Sequence, residues 1–103
     1  MEIYETSAFK KWFEKIKDDK TKEIIDRRIY RIAAFADFRD YKILSKNLLE
    51  IRFDYGPGYR IYMARKESMV IILLLGGNKS TQERDMRRAE KLAQTPISEE
   101  KTK

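Results

Sequence analysis

Residues 49–63 read LEIRFDYGPGYRIYM, and how this run pairs with itself decides the fold. Leu49, Ile51, Phe53 and Tyr55 alternate with Glu50, Arg52 and Asp54, the period of a half-buried strand. After GPG the alternation resumes, with Tyr59, Ile61 and Met63 on one face and Arg60 and Tyr62 on the other. A three-residue loop there pairs Tyr55 with Tyr59, Phe53 with Ile61 and Ile51 with Met63, so each apolar residue meets another. A slip of one residue separates them. The same register sets Asp54 against Arg60 and Arg52 against Tyr62, so two arginines and a tyrosine share a polar surface. A plain structural role is also open to Arg60, an ion pair with Asp54 across the strands.

Downstream, Lys66 and Glu67 turn the chain into SMVIILLLGG, whose unbroken apolar character predicts a central strand covered on both faces. The next residues, GGNKSTQERD at 76–85, superficially suggest a phosphate loop. The Walker pattern requires glycine directly before the lysine, and here Asn78 precedes Lys79, which argues against nucleotide hydrolysis. Two uses of the turn stay open. It is either an ordinary strand-to-helix connection with a Ser80–Glu83 capping box, or an anion site built from close backbone approach, free N–H groups and Lys79. Gln82, Met86, Ala89 and Ala93 then give a helical stripe that Pro96 ends.

Upstream, EIYE at residues 2–5 suits a short opening strand, and Thr6 or Ser7 can cap a helix with Phe9, Trp12, Phe13 and Ile16 on one face. KDDKTK leads into a second helix that buries Ile25, Ile29, Ile32 and Ala36, with Lys20, Arg27 and Arg31 on another face. Such a charged face is most often only solvated. Residues 37–48 show no period and are expected to form a loop. The expected fold is α+β: an N-terminal helical hairpin packed on a small, mostly antiparallel sheet with a C-terminal helix. Residues 1–95 make one domain and 96–103 a flexible tail.

Composition narrows the chemistry. The chain has 103 residues, 42% hydrophobic and 39% charged, in patterned blocks that favour folding over disorder. It contains no cysteine and no histidine, which removes disulfides, thiolate or imidazole metal ligands, a cysteine nucleophile and Ser-His-Asp chemistry. No metal or other cofactor is expected. The 23 basic residues outnumber the 17 acidic ones for a net charge of +6, an excess that attracts nucleic acid or an acidic protein. The longest apolar run, Met69 to Leu75, is far too short to span a membrane, and the N-terminus lacks a secretory signal; a cytoplasmic location is expected.

The run LLEIRFDYGPGYRIYMARKESMVIILLLGGNKSTQERDMRRAEKLA, residues 48–93, resembles the HigB-type addiction-module killers of the RelE/ParE toxin superfamily, in which a GPGYR hairpin and a GG-Asp/Asn-Lys-Ser turn recur at this spacing. The resemblance implies the toxin of a type II toxin–antitoxin module, neutralised by a helix-turn-helix antitoxin. Masking of the basic surface by an acidic or amphipathic antitoxin segment is expected. The implied activity is metal-independent, ribosome-dependent mRNA cleavage. The RNA's own 2′-hydroxyl attacks the adjacent phosphate, so the protein must supply positive charge and proton transfer. By motif, Arg60 matches the phosphate-stabilising arginine, Arg52 a basic position on the preceding strand and Lys79 a second basic position after the last strand. Asp85 stands where related nucleases often carry tyrosine or histidine. Arg52 is a poor proton acceptor, which leaves Asp85, Glu50 and Tyr62 as candidate acid–base groups. RNA contacts are expected from Tyr62, Lys46 and Arg84. The alternative is a ParE-like toxin that binds DNA gyrase without enzymatic action.

Overall fold

The structure is a computed structural model that describes residues 1–94 and 99–101. Along the chain run β1 (Glu2–Thr6), α1 (Ser7–Glu14), α2 (Asp19–Phe35), β2 (Tyr41–Ser45), β3 (Leu48–Arg52), β4 (Tyr59–Glu67), β5 (Val70–Asn78), a 3₁₀ turn (Lys79–Thr81), α3 (Gln82–Gln94) and β6 (Glu99–Lys101). One six-stranded sheet has the order β2-β3-β4-β5-β1-β6. Its pairings are antiparallel except that of β1 with β5, which is parallel.

The chain opens on a strand where EIYE suggested one, and because that strand is built into the sheet the two helices follow it, which corrects the expected N-terminal helical hairpin. Ile3, fully buried, anchors β1 beside β5, and the Thr6 hydroxyl caps α1 by accepting from the Phe9 N–H at 3.0 Å. Phe9, Ile25, Ile29 and Ile32 pack with Ile3, Leu49, Ile51, Phe53, Ile61, Met63, Ile71 and Leu73 in a core on one face. The opposite face carries a second core, Leu48, Tyr62, Ala64, Ile72, Leu74 and Leu75 against Ala89 of α3. The sheet is thus a filling between α1 and α2 on one side and α3 on the other.

Residues 41–45, expected to be loop, form β2. This edge strand leaves Tyr41, Lys42 and Ile43 exposed, so no burial period marks it in the sequence. The GPG hairpin keeps its predicted faces and changes its register by two. Ile51 opposes Ile61 and Arg52 opposes Arg60, and the Phe53 N–H donates to the Tyr59 carbonyl at 3.0 Å. The loop is longer than GPG alone because Gly56 and Gly58 both take left-handed φ, +58° and +77°. As a result Asp54 is an exposed loop residue and is not opposite Arg60.

β5 lies between β4 and β1 and is buried from Ile71 to Gly77, as a central strand should be. A bulge inserts Leu74 between the pairs Tyr62–Leu75 and Met63–Leu73. Leu74 and Leu75 thereby both join the α3 side, while the Leu74 carbonyl accepts from the Thr6 hydroxyl at 2.6 Å. Of the segment expected to be a tail, residues 96–98 and 102–103 lie outside the described residues, and Glu99–Lys101 runs antiparallel to β1.

Candidate functional site

The bulge decides what the glycines at the end of β5 do. Past it, Gly76 faces α1 and Gly77 faces α3. A Cβ on Gly76 would enter the Trp12 indole, and one on Gly77 would enter the Asp85 carboxylate and stand 2.9 Å from Thr81 Oγ1. The close approach that these glycines permit is thus used by the protein's own side chains. The cap of the following turn is Asn78, not Ser80: its Oδ1 accepts from the Ser80 N–H at 2.9 Å, and its N–H donates to Thr81 Oγ1 at 3.1 Å. Thr81 Oγ1 in turn donates to Asp85 Oδ2 at 2.5 Å, which seats the first turn of α3 against the sheet.

Beneath that turn two rows of side chains cross the sheet. The outer row is Arg52–Arg60–Gly77, with the two arginines directly opposite each other. The inner row is Glu50–Tyr62–Leu75. Like charges opposite one another are unfavourable without an anion near them. Arg52 has one: its Nε donates to Glu50 Oε1 at 3.0 Å. Arg60 instead donates from Nη1 to the Gly58 and Tyr59 carbonyls at 3.1 and 3.3 Å, and its buried Nε has no hydrogen-bond partner among the described residues. Lys79 closes the group. A Cβ on Gly58 would lie 3.3 Å from Lys79 Cβ and 3.5 Å from Arg60 Nη1, so glycine lets both side chains converge there.

The structure therefore sets Arg60 opposite Arg52 and beside Lys79, and it buries the candidate acid–base groups next to them. Glu50, Tyr62 and Asp85 are 0%, 0% and 3% exposed, so none is the surface group expected of an RNA contact or a proton carrier. The reason is α3, which covers what the alternation of 49–63 reads as a solvent face. Burial pushes the Glu50 carboxyl up, and hydrogen bonds from Gln82 and Arg52, with the nearby Tyr62 hydroxyl, outweigh it, leaving the group below its ordinary value. Burial pushes the Tyr62 phenol up, and the Glu50 and Asp85 carboxylates push it further, so it stays protonated. Its hydroxyl lies close enough to Glu50 for that influence, yet it makes no hydrogen bond of good geometry among the described residues.

Arg84 is exposed on α3, with Nη2 3.5 Å from Asp85 Oδ1. Lys46 lies in the β2–β3 turn, beyond the far end of β3 from Arg52, a strand that alone spans about 13 Å from Leu48 to Arg52 at ~3.3 Å per residue. It lines a groove of about 760 Å³ with Leu48, Ala64, Ile72, Leu74 and Leu92, and this cavity does not include the three converging cations.

Two partners were not singled out from the sequence. Gln82 Nε2 donates to Glu50 Oε2 at 2.8 Å across 32 residues. Arg28 donates to the Arg52, Phe38 and Asp40 carbonyls at 2.9, 3.1 and 2.9 Å, tying α2 to the end of β3. Neither contact is marked in the local sequence, since Glu50 alternates with apolar residues as a solvent-facing strand residue does. The face of α2 read as solvated carries local pairs, Arg27 with Glu23 and Arg31 with Asp37. No helix of the described residues is long and apolar enough to cross a membrane.

No family model matches the chain. It is 39% identical over 94 residues to an uncharacterized protein of Haemophilus influenzae, a match that covers 91% of this chain and 94% of the relative. Its fold matches a chain in the crystal structure of the intact E. coli RelBE toxin–antitoxin complex with a TM-score of 0.61. That match covers 74% of this chain and 93% of the other at 14% identity. The fold is RelE-like.

Proposed function

We propose that this chain, which belongs to the same family as the Haemophilus influenzae protein and carries a RelE-like fold, is the toxin of a type II toxin–antitoxin module that cleaves mRNA on the ribosome. One observation carries the reading: two arginines stand directly opposite each other, one with an Nε that has no partner among the described residues, and Lys79 closes on the same spot. Clustered cations of this kind suit a scissile phosphodiester, on which charge builds as the 2′-hydroxyl attacks. Arg60 and Arg52 contact the phosphate and Lys79 its flank, and exposed Arg84 adds a contact to the RNA backbone. The contribution is charge stabilisation, since the carboxylates that could move a proton are engaged beneath α3. An antitoxin with an acidic segment fits the same surface and would block it directly. The GPGYR hairpin and GGNKS turn, which resemble HigB-type motifs, support assigning the chain to that branch.

A second reading draws on the same buried acid–base groups: a ParE-like toxin that inhibits gyrase by contact alone. One experiment separates the two. Inducing the chain in cells while mapping RNA ends and plasmid topology should show new ends within translated codons, and Arg60→Ala should reduce them on the order of 100-fold, the scale of one lost preorganised donor. Topology changes without RNA ends, or full cleavage by a folded Arg60→Ala, would overturn the nuclease reading.

A further inference from the structure

Glu50 precedes Arg52 by two residues on β3 and has no exposed surface. A buried carboxylate is costly unless it is paired and hydrogen-bonded, and replacing it with an apolar side chain is often the more stable choice. Its presence in this core therefore asks what it holds. Both oxygens are engaged, Oε1 by Arg52 Nε and Oε2 by Gln82 Nε2. Tyr62, directly across the ladder and equally buried, keeps water from its flank. A general base must reach the proton it abstracts, and this carboxylate presents no surface to a ribose. What it does reach is the guanidinium of Arg52, which it grips at Nε only. Among the described residues the Nη groups donate no hydrogen bond, which leaves them to a phosphate.

We propose that Glu50 is a positioning residue that aims Arg52 at the scissile phosphate, and that Gln82 couples this aim to the seating of α3. The inference rests on the reading of Arg52 as a phosphate contact. It adds that Arg52 works only while the carboxylate beneath it fixes its direction. An unrestrained arginine samples many rotamers, and a misplacement near 1 Å at a reacting centre can cost on the order of 100-fold. Gln82 is the first residue of α3, so a shift of that turn releases Oε2 and loosens the pair.

The test is a double-mutant cycle of Glu50→Leu and Arg52→Ala, assayed for mRNA cleavage on ribosomes, with the Arg52 Nε–H followed by NMR hydrogen exchange. Glu50→Leu should lower kcat on the order of 10–100-fold with little change in KM. Adding it to Arg52→Ala should cost nothing more. Glu50→Gln, which keeps an acceptor oxygen, should fall between wild type and Glu50→Leu. The Arg52 Nε–H should exchange on the order of 10-fold faster in Glu50→Leu. Losses that multiply in the double variant, or an Arg52 Nε–H as protected in Glu50→Leu as in wild type, would overturn the proposal. Should wild type cut no RNA, the nuclease reading fails, and the exchange rates alone decide whether Glu50 positions Arg52. Should Glu50→Leu fail to fold, Glu50→Gln replaces it in the cycle under the same criteria.

Discussion

Gly77→Ala is the sharpest probe of how the end of β5 is built. The added methyl enters the Asp85 carboxylate and crowds Thr81 Oγ1 at 2.9 Å. Asp85 cannot swing aside cheaply, because it is 3% exposed and receives the Thr81 hydroxyl at 2.5 Å. The first turn of α3 must lift instead. Overpacking of this kind costs about 1–3 kcal/mol, and breaking a buried hydrogen bond adds about 1–3 kcal/mol. The expected loss is about 2–6 kcal/mol from a total on the order of 5–15 kcal/mol. Urea unfolding checks it: at a slope near 2 kcal/mol per molar, the midpoint should fall by about 1–3 M with the slope unchanged. Asp85→Ala removes the atoms that collide, so Gly77→Ala/Asp85→Ala should be more stable than the sum of its single losses implies. A Gly77→Ala protein within about 0.5 kcal/mol of wild type, or a double variant whose losses simply add, refutes the account of this glycine.

Arg28→Ala strips three carbonyls of a charged donor and should cost about 2–4 kcal/mol in thermal or urea unfolding; a neutral result would show that α2 is not anchored there. Gly58→Ala combines a left-handed φ of +77° with crowding of Lys79 and should cost about 1–2 kcal/mol by the same measurement, whereas an unchanged midpoint would refute the tight approach of Lys79 and Arg60. Because the Glu50 carboxyl sits below its ordinary 4.5, its contribution is complete above that pH and is lost as pH falls through the lower folded value. The stability gap between wild type and Glu50→Gln should therefore narrow on acidification below about 4.5, and a gap independent of pH would refute the pairing.

The parts legible in the sequence were those whose burial pattern has one cause. β5 announces itself by an unbroken apolar run, α1 by its Thr6 cap and apolar face, and Phe53 and Ile61 by sharing the α1–α2 side. The register of the hairpin was not legible, because a shift of two preserves every face and only the left-handed Gly56 and Gly58 lengthen the loop. β2 was missed because an exposed edge strand needs no apolar period. Glu50, Arg52 and Tyr62 looked like a solvent face because polar residues alternate there; a helix from 30 residues later covers them, and local sequence carries no mark of that return.

That return of α3 explains how so basic a surface is tolerated. Two arginines opposed on neighbouring strands repel, and the shift of register removed the one partner, Asp54, that the sequence offered to Arg60. Glu50 offsets Arg52 from below, and α3 keeps its carboxylate out of water while the arginine stays part-exposed, so their attraction is stronger than between two fully solvated charges. Arg60 receives only carbonyls, and its Nε receives no partner among the described residues. The fold thus holds a cation whose best partner is not its own. An incoming phosphate relieves the repulsion as it binds, so affinity for a polyanion and stability of this corner are linked: what binds the row stabilises the native state. The same linkage makes the row a natural place for an acidic ligand, because a carboxylate placed between Arg52 and Arg60 satisfies the same donors as an incoming phosphate.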